Sequence, residues 1–503
     1  VFYVRYVVKN YVVKKLRGKN CAAKNLTGKR MNKLNHLLCR LGFGPRTKSW
    51  EKWMALPPES WWPKLKDESA PSPQHFDVAS SAVNGLLMGV GEIGKMERRD
   101  LSKDEKKQLK TQSREDLQNL NLLWLEEMTH SKAQLREKMA FFWHGHFASR
   151  NINILYQQQL LAIVRDHALG NFRDLLREVS KSAAMLAFLN NQQNKKKHPN
   201  ENFAREVMEL FTLGRGHYSE EDVKEAARAF TGWGFRLNGE FAFRKWDHDA
   251  DSKTLLGKTG NFDGDDVLDI LLEKRQTAYF ITRKLYKFLV NETNIPAERI
   301  TWLGDRLYDS GYEIMRLLND IVQSDWFYVP ENVGSKIKSP LELWVGMRRV
   351  LPLELADPEA QLLLQKALGQ VLFYPPNVAG WPGGRNWIDS SSLMLRMRIP
   401  QLLYANQDFD VRTKADDDQQ MGQGRKGQQQ RFSATIDWQP VLDLFGKTPE
   451  NEIILQLAAF LWQASTKTLP LNVIQKNVNQ SSRETFIQSA MIQLMASPEY
   501  QLN

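Results

Sequence analysis

Asn202, Glu206 and Glu209 recur at intervals of four and three residues. A helix through them places an amide and two carboxylates on one face, with Arg205 at its edge and Phe203, Val207, Leu210 and Phe211 opposite. Carboxylates set out this way suit acid–base work, with Glu206 or Glu209 as general base. Asp222, Glu225 and Arg228 repeat the pattern on the next helix. Arg205 and Arg228 complete the catalytic candidates. The same guanidiniums could instead pair with the carboxylates in a purely structural network, because an unpaired buried carboxylate costs several kcal/mol. Both alternatives predict a buried stripe facing Arg228 and the segment Trp143-His144-Gly145-His146.

That segment supplies two imidazoles two residues apart, and Gly145 lets a loop or strand present both to one ion. Trp246-Asp247-His248-Asp249 supplies a third imidazole flanked by acids. His144, His146, His248 and Asp249 are therefore candidate ligands for a divalent transition metal such as zinc, iron or manganese. The helical H-E-x-x-H spacing is absent, so such a site would have to assemble in the fold. Asn261-Phe262-Asp263-Gly264-Asp265-Asp266 resembles a calcium loop in composition, but lacks the glutamate an EF-hand needs. Acids opening a helix explain it better. Candidate ligand-binding residues are Asn200 and Asn202, beside a loop crowded with Asn, Lys and His, and Trp381 and Trp387. Those tryptophans lie in a turn dense in proline and glycine, where an indole can be a platform for a sugar ring or a plug for the core.

The elements that must position these residues are helical. Apolar residues recur every three or four positions over Leu120–His130, Lys132–Trp143, Ile154–His167 and Asn171–Leu189, and again through most of 265–369. Ser219 with Asp222 reads as a capping box. Gly234–Arg244 reads as a hairpin turning at Asn238-Gly239. Pro57-Pro58 should break a tryptophan-dense helix. The expected fold is mainly α: a multi-helix globular protein with a small β-hairpin and a turn-rich Pro/Gly/Trp segment. Three parts are expected. Residues 1–30 are a basic arm, 31–400 the main helical domain, and 401–503 a C-terminal helical extension with a low-complexity insertion at about 413–432.

The chain has 503 residues, is 42% hydrophobic and 25% charged, and carries a net charge of +11. Nine Lys/Arg and no acid lie in residues 1–30, which leaves only +2 for the rest. The basic character thus belongs to the arm, whose first twenty residues alternate β-branched and aromatic with basic residues, as an extended strand would. No nucleic acid is expected as partner. No apolar run approaches the roughly 18 residues that span a bilayer. Cys21 and Cys39 form one arithmetically possible pair and no metal-like spacing.

The segments REKMAFFWHGHFAS, ALGNFRDLL, HPNENFAREVMELFTLG, YSEEDVKEAARAFTGW, LLGKTGNFDGDDV, KIKSPLELWVG and PPNVAGWPGGRNWI follow one another in order. Together with HLLCRLGFGPR they resemble the motifs of the bacterial domain-of-unknown-function eighteen-hundred family, from Met31 to about Pro400. The resemblance implies an exported, extracytoplasmic protein, with an exported partner resembling the alkaline-phosphatase superfamily. It carries over no catalytic residue. Two functions are expected: a metal-assisted hydrolase acting on a glycan or other envelope polymer, or a non-catalytic assembly protein using its arm for partner or self contacts.

Overall fold

The structure, a computed structural model, describes residues 20–79, 103–151, 153–405, 433–463 and 471–503. The strand expected at the start of the arm and the low-complexity insertion lie outside these residues. Within them the fold is mainly α, as the apolar spacing predicts. The strands form three two-stranded antiparallel ribbons.

Helix α1 (Asn20–Arg40) leads through α2 (Trp50–Ala55) to α3 (Trp61–Ser69), the last two parted at the expected Pro57-Pro58. The long α4 (Lys103–His130) runs through both the charged stretch and the apolar one after it. Next come α5 (Gln134–His146), α6 (Ile154–Asp166), α7 (Phe172–Lys181) and α8 (Ala183–Phe188). The helix expected over Asn171–Leu189 is two, because the Ser182 hydroxyl accepts from Met185 N and restarts it. Helix α5 continues three residues beyond Trp143, so His144 and His146 are helical, not presented on a loop or strand.

Helix α9 (Glu201–Glu206) passes directly into a π-helix, Val207–Thr212. Helix α10 (Glu220–Ala229) starts at the Ser219–Asp222 capping box. The hairpin follows, β1 (Trp233–Phe235) pairing with β2 (Phe241–Phe243) across the expected Asn238-Gly239 turn. A second ribbon, β3 (Lys253–Leu255) and β4 (Lys258–Gly260), precedes α11 (Gly264–Leu272). The acids of the calcium-like loop serve that helix: Asp263 caps it, Asp266 closes the box, and Asp265 pairs with Lys181.

Helices α12 (Arg275–Leu289), α13 (Ala297–Asp309) and α14 (Ile314–Gln323) lead to α15 (Pro340–Val350), opened by a Ser339–Glu342 capping box. Then come β5 (Leu353–Leu355), α16 (Ala360–Leu368), α17 (Ser390–Ala405), β6 (Ala434–Ile436), α18 (Gln439–Phe445), α19 (Glu450–Leu461), α20 (Leu471–Asn477) and α21 (Arg483–Met495). Strand β6 pairs back on β5, and Asn35 Nδ2 of α1 donates to Phe460 O of α19 at 2.7 Å. One contiguous core holds Leu37 and Phe43 together with Leu403, Phe460 and Met491. The hydrophobic core is therefore continuous across the boundary expected near residue 400. Cys39 is a buried free thiol whose Sγ donates to Asn35 Oδ1.

Among the described residues no helix is long and apolar enough to cross a membrane.

Candidate functional site

Three consecutive charged residues of α5 are buried: Arg136 is 7%, Glu137 0% and Lys138 1% exposed. Successive helical side chains leave about 100° apart, so the three reach different segments. Arg136 donates to the Pro71 carbonyl and lies 3.3 Å from Glu137 Oε1. Glu137 accepts from Trp124 Nε1 and from Arg165 Nη2, both at 2.9 Å. Lys138 pairs with Glu342 of α15. Burial alone would raise the Glu342 carboxyl, but Lys138 and Lys336 beside it hold it well below the usual carboxylate range. Burial pushes Lys336 and Lys338 down to about 8. A run of three charges inside an apolar helix was the sequence signal for this hub. Arg136, Arg165, His75 and Asp166 also line a cavity of about 690 Å³ beside α3. There the His75 ring meets both Asp166 oxygens at 3.0 and 2.9 Å.

The two histidines at the end of α5 diverge, as residues two apart on a helix must. His144 Nε2 accepts from Phe373 N at 3.2 Å, with Trp124 edge-on and the half-buried Trp381 tilted over the ring. Burial drives His144 down to about 3. His146 Nδ1 meets Lys284 Nζ of α12 at 3.0 Å, and its Nε2 has no hydrogen-bond partner among the described residues. Burial first, and the Lys284 charge second, hold His146 far below its ordinary value. His248 Nδ1 contacts Thr231 O at 3.0 Å, and Asp249 Oδ2 accepts from Arg228 Nε at 2.7 Å. The four expected metal ligands therefore sit in three places with separate partners. Among the described residues no group of three or more His, Cys, Asp or Glu is arranged to hold an ion.

The Pro/Gly/Trp turn packs on the end of α5. Trp387 is buried. Gly380 adopts φ +84°, and a Cβ there would lie 2.4 Å from the Gly145 carbonyl oxygen. Gly380→Ala is expected to cost about 2–3 kcal/mol from left-handed strain and overpacking, read as a lower urea midpoint at unchanged slope.

The stripe that opened the sequence reading is only partly buried. Asn202 is exposed, whereas Glu206 and Glu209 are half-buried. Asn200 caps α9 by accepting from Asn202 N at 3.0 Å, and Asn202 Nδ2 donates to Leu189 O. Arg205 bridges Glu201 and Glu220, while Arg228 bridges Glu225 and Asp249. Arg228 thus turns away from the stripe it was expected to face. Glu209 accepts from Tyr218 Oη at 2.5 Å and pairs with Arg215 Nε at 3.4 Å. Burial, then the bond to Glu209, raises Tyr218 to about 12. Glu206 forms no hydrogen bond or ion pair among the described residues. Burial, then the Glu209 charge, raises its carboxyl, and Arg205 opposes them.

The π-helix also brings a lysine to this end of the stripe. Its Leu210 carbonyl accepts from Lys284 Nζ at 3.1 Å, the amine that holds His146. Burial pushes Lys284 down to about 8, with Lys287 adding to the shift. π-Helical turns are frequent at functional sites because they re-aim side chains and main-chain groups.

Compared with known protein families, residues 36–502 match the family described as a protein of unknown function, DUF1800. The chain belongs to this family. No curated protein and no solved structure matches it. The DUF1800 match takes in α18 to α21 as well as the motif segments, in keeping with the shared core.

Sequence reasoning missed several residues of this DUF1800 chain. Lys284 carries no signal, being one of two lysines on an amphipathic helix. Asn191 and Asn194 were legible in type but not in role. Asn194 Nδ2 donates to Ala227 O at 2.8 Å, and its Oδ1 accepts from Asn200 N at 2.9 Å. Asn191 Nδ2 donates to Phe230 O and Trp233 O. Short amides commonly stand in for backbone this way. They lock the polar loop onto α10.

Proposed function

We propose that the protein is an exported bacterial hydrolase that cleaves a glycan or other envelope polymer by acid–base chemistry at Glu206 and Glu209. The observation that carries this reading is the unequal environment of the two carboxylates. Glu209 is engaged by Tyr218 and Arg215, whereas the Glu206 carboxyl has a raised pKa and no hydrogen bond or ion pair among the described residues. Neighbouring carboxyls held in different environments are how one site supplies both an acid and a base. Protonated Glu206 gives its proton to the oxygen leaving with one polymer fragment. Glu209 takes a proton from the attacking water, whose oxygen completes the other fragment as the C–O bond breaks. The reading assigns no ion to His144, His146, His248 and Asp249, which sit in three places with separate contacts. The extracytoplasmic location and an alkaline-phosphatase-like partner belong to the same proposal and rest on the family resemblance.

The test is hydrolysis of peptidoglycan and dye-linked polysaccharides by the full chain. Glu206→Gln is expected to lower turnover by about 100-fold or more, with an unchanged thermal midpoint because Glu206 has no partner to lose. Glu220→Gln should keep the rate. A wild-type protein that cleaves none of these polymers, or a Glu206→Gln variant at full rate, overturns the reading.

A second reading, a non-catalytic assembly protein, is favoured by one observation: Arg205, Arg228, Asn191, Asn194 and Asn202 are all satisfied internally. On that reading, deleting residues 1–30 changes the mass in solution or abolishes partner capture. Unchanged assembly and capture count against it.

A further inference from the structure

Two segments far apart in sequence meet at the surface near the hairpin. The loop Lys195-Lys196-Lys197-His198 is exposed throughout and closes on itself, His198 N donating to Lys195 O at 2.8 Å. Against it lies the turn Lys245–Asp247, which carries Trp246 with 73% of its surface exposed. Lys196 N donates to Asp247 O at 2.8 Å, and Lys195 Nζ lies 3.9 Å from Asp247 Oδ2.

The turn is pinned from below. Arg244 Nη2 donates to Gln192 O at 2.7 Å, and Arg244 N to Gly232 O at 2.8 Å. Gly232 adopts φ +81°, and a Cβ there would lie 2.6 Å from Arg244 O, so only glycine allows this approach. A singly exposed hydrophobic side chain is ordinary. An indole carried on a pinned turn, beside lysines of which three form no ion pair among the described residues, is a different arrangement. Its ring meets no aromatic or cationic side chain among the described residues. Within 192–198 and 244–247 there are five Lys/Arg against one acid, Asp247. Lys196, Lys197 and Lys245 form no ion pair among the described residues.

We infer that this surface binds an anionic polysaccharide, the indole of Trp246 stacking on the apolar face of a sugar ring while Lys195, Lys196, Lys197 and Lys245 meet its carboxylates or sulfates. An indole is flat, apolar and polarisable, which suits a ring with one hydrocarbon face. Clustered ammoniums raise the local concentration of a polyanion, with a strong dependence on salt. The inference rests on the polymer reading above and names the polymer's chemistry. The two fail separately, since binding without cleavage overturns the hydrolase and leaves this surface standing.

The probes are polygalacturonate and heparin, titrated into the full chain at 0.05 M and 0.2 M salt and followed by calorimetry. Expected are binding that weakens with salt, a loss of affinity of about tenfold or more in Trp246→Ala, and a similar loss in the triple Lys195→Gln/Lys196→Gln/Lys197→Gln variant. Both variants should keep the wild-type thermal midpoint, because the exchanged groups are exposed. Full affinity in Trp246→Ala places the binding elsewhere, the basic residues 1–30 included, and overturns the inference. So does equal binding of neutral dextran, tighter binding of single-stranded DNA than of either polysaccharide, or no binding at all.

Discussion

Lys138→Met is expected to lower the unfolding free energy by about 3–5 kcal/mol, since it leaves the Glu342 carboxylate buried without its nearest cation. Lys138 and Glu342 are 1% and 4% exposed, so water cannot replace the lost partner. The ammonium also lies over the rings of Phe43 and Phe288. Lys336 remains nearby and softens the loss. The double variant Lys138→Met/Glu342→Leu should lose less than the two single losses added, because it removes both buried charges together. Urea titration of the four proteins measures this, and additive losses would count against the pairing.

Acidification from pH 7 to pH 4 is expected to destabilise the protein by several kcal/mol. His144 and His146 are neutral in the native state and take up a proton near pH 6.5 once unfolded. Below that pH the unfolded chain binds more protons, so stability is complete above about 6.5 and drains as pH falls. The drain from His144 ends only near 3, where the native imidazole itself titrates. By pH 4 His144 alone contributes roughly 3 kcal/mol of this loss, at about 1.4 kcal/mol for each unit of separation. Glu342 acts in the same direction at lower pH. Its native carboxyl is depressed, so its contribution is present above the ordinary carboxylate value and lost as pH falls toward the native one. Urea midpoints between pH 7.5 and 4 read the effect. A midpoint flat to pH 4.5 would falsify the burial of both imidazoles.

Local chemistry made much of the fold legible. The Ser219–Asp222 box, the Asn238-Gly239 turn and the Pro57-Pro58 break each act within a few residues, and each appears where the sequence places it. Apolar spacing marked most helices for the same reason. The failures are of two kinds. Gly145 was expected to let a loop or strand present both imidazoles, and glycine does cost a helix about 1 kcal/mol relative to alanine. The packing of Trp143 and His146 on either side outweighs that cost, and the helix carries on. The second kind concerns partners. Arg228 had Glu206, Glu209 and Asp249 available in composition, and only the return of the hairpin settles that Asp249 receives it. The carboxylate pair was legible as two glutamates three apart. Its asymmetry was not, because Tyr218 and Arg215 reach Glu209 from the following turn.

Helix α1 presents Leu34, Leu37 and Leu38 to the core, and Leu41 just past its end joins them. Asn35 Nδ2 donates to the carbonyl of Phe460, 425 residues away, and Trp50 meets the Phe460 ring at 5.0 Å. Synthesis proceeds at about 5–20 residues per second, so α1 waits roughly 20–85 s for Phe460 to be made. During that interval its leucine face is open to any holdase or to a neighbouring nascent chain. A ribosome stalled before residue 450 would hold a chain whose α1 still lacks α19, however complete the motif-bearing middle already is.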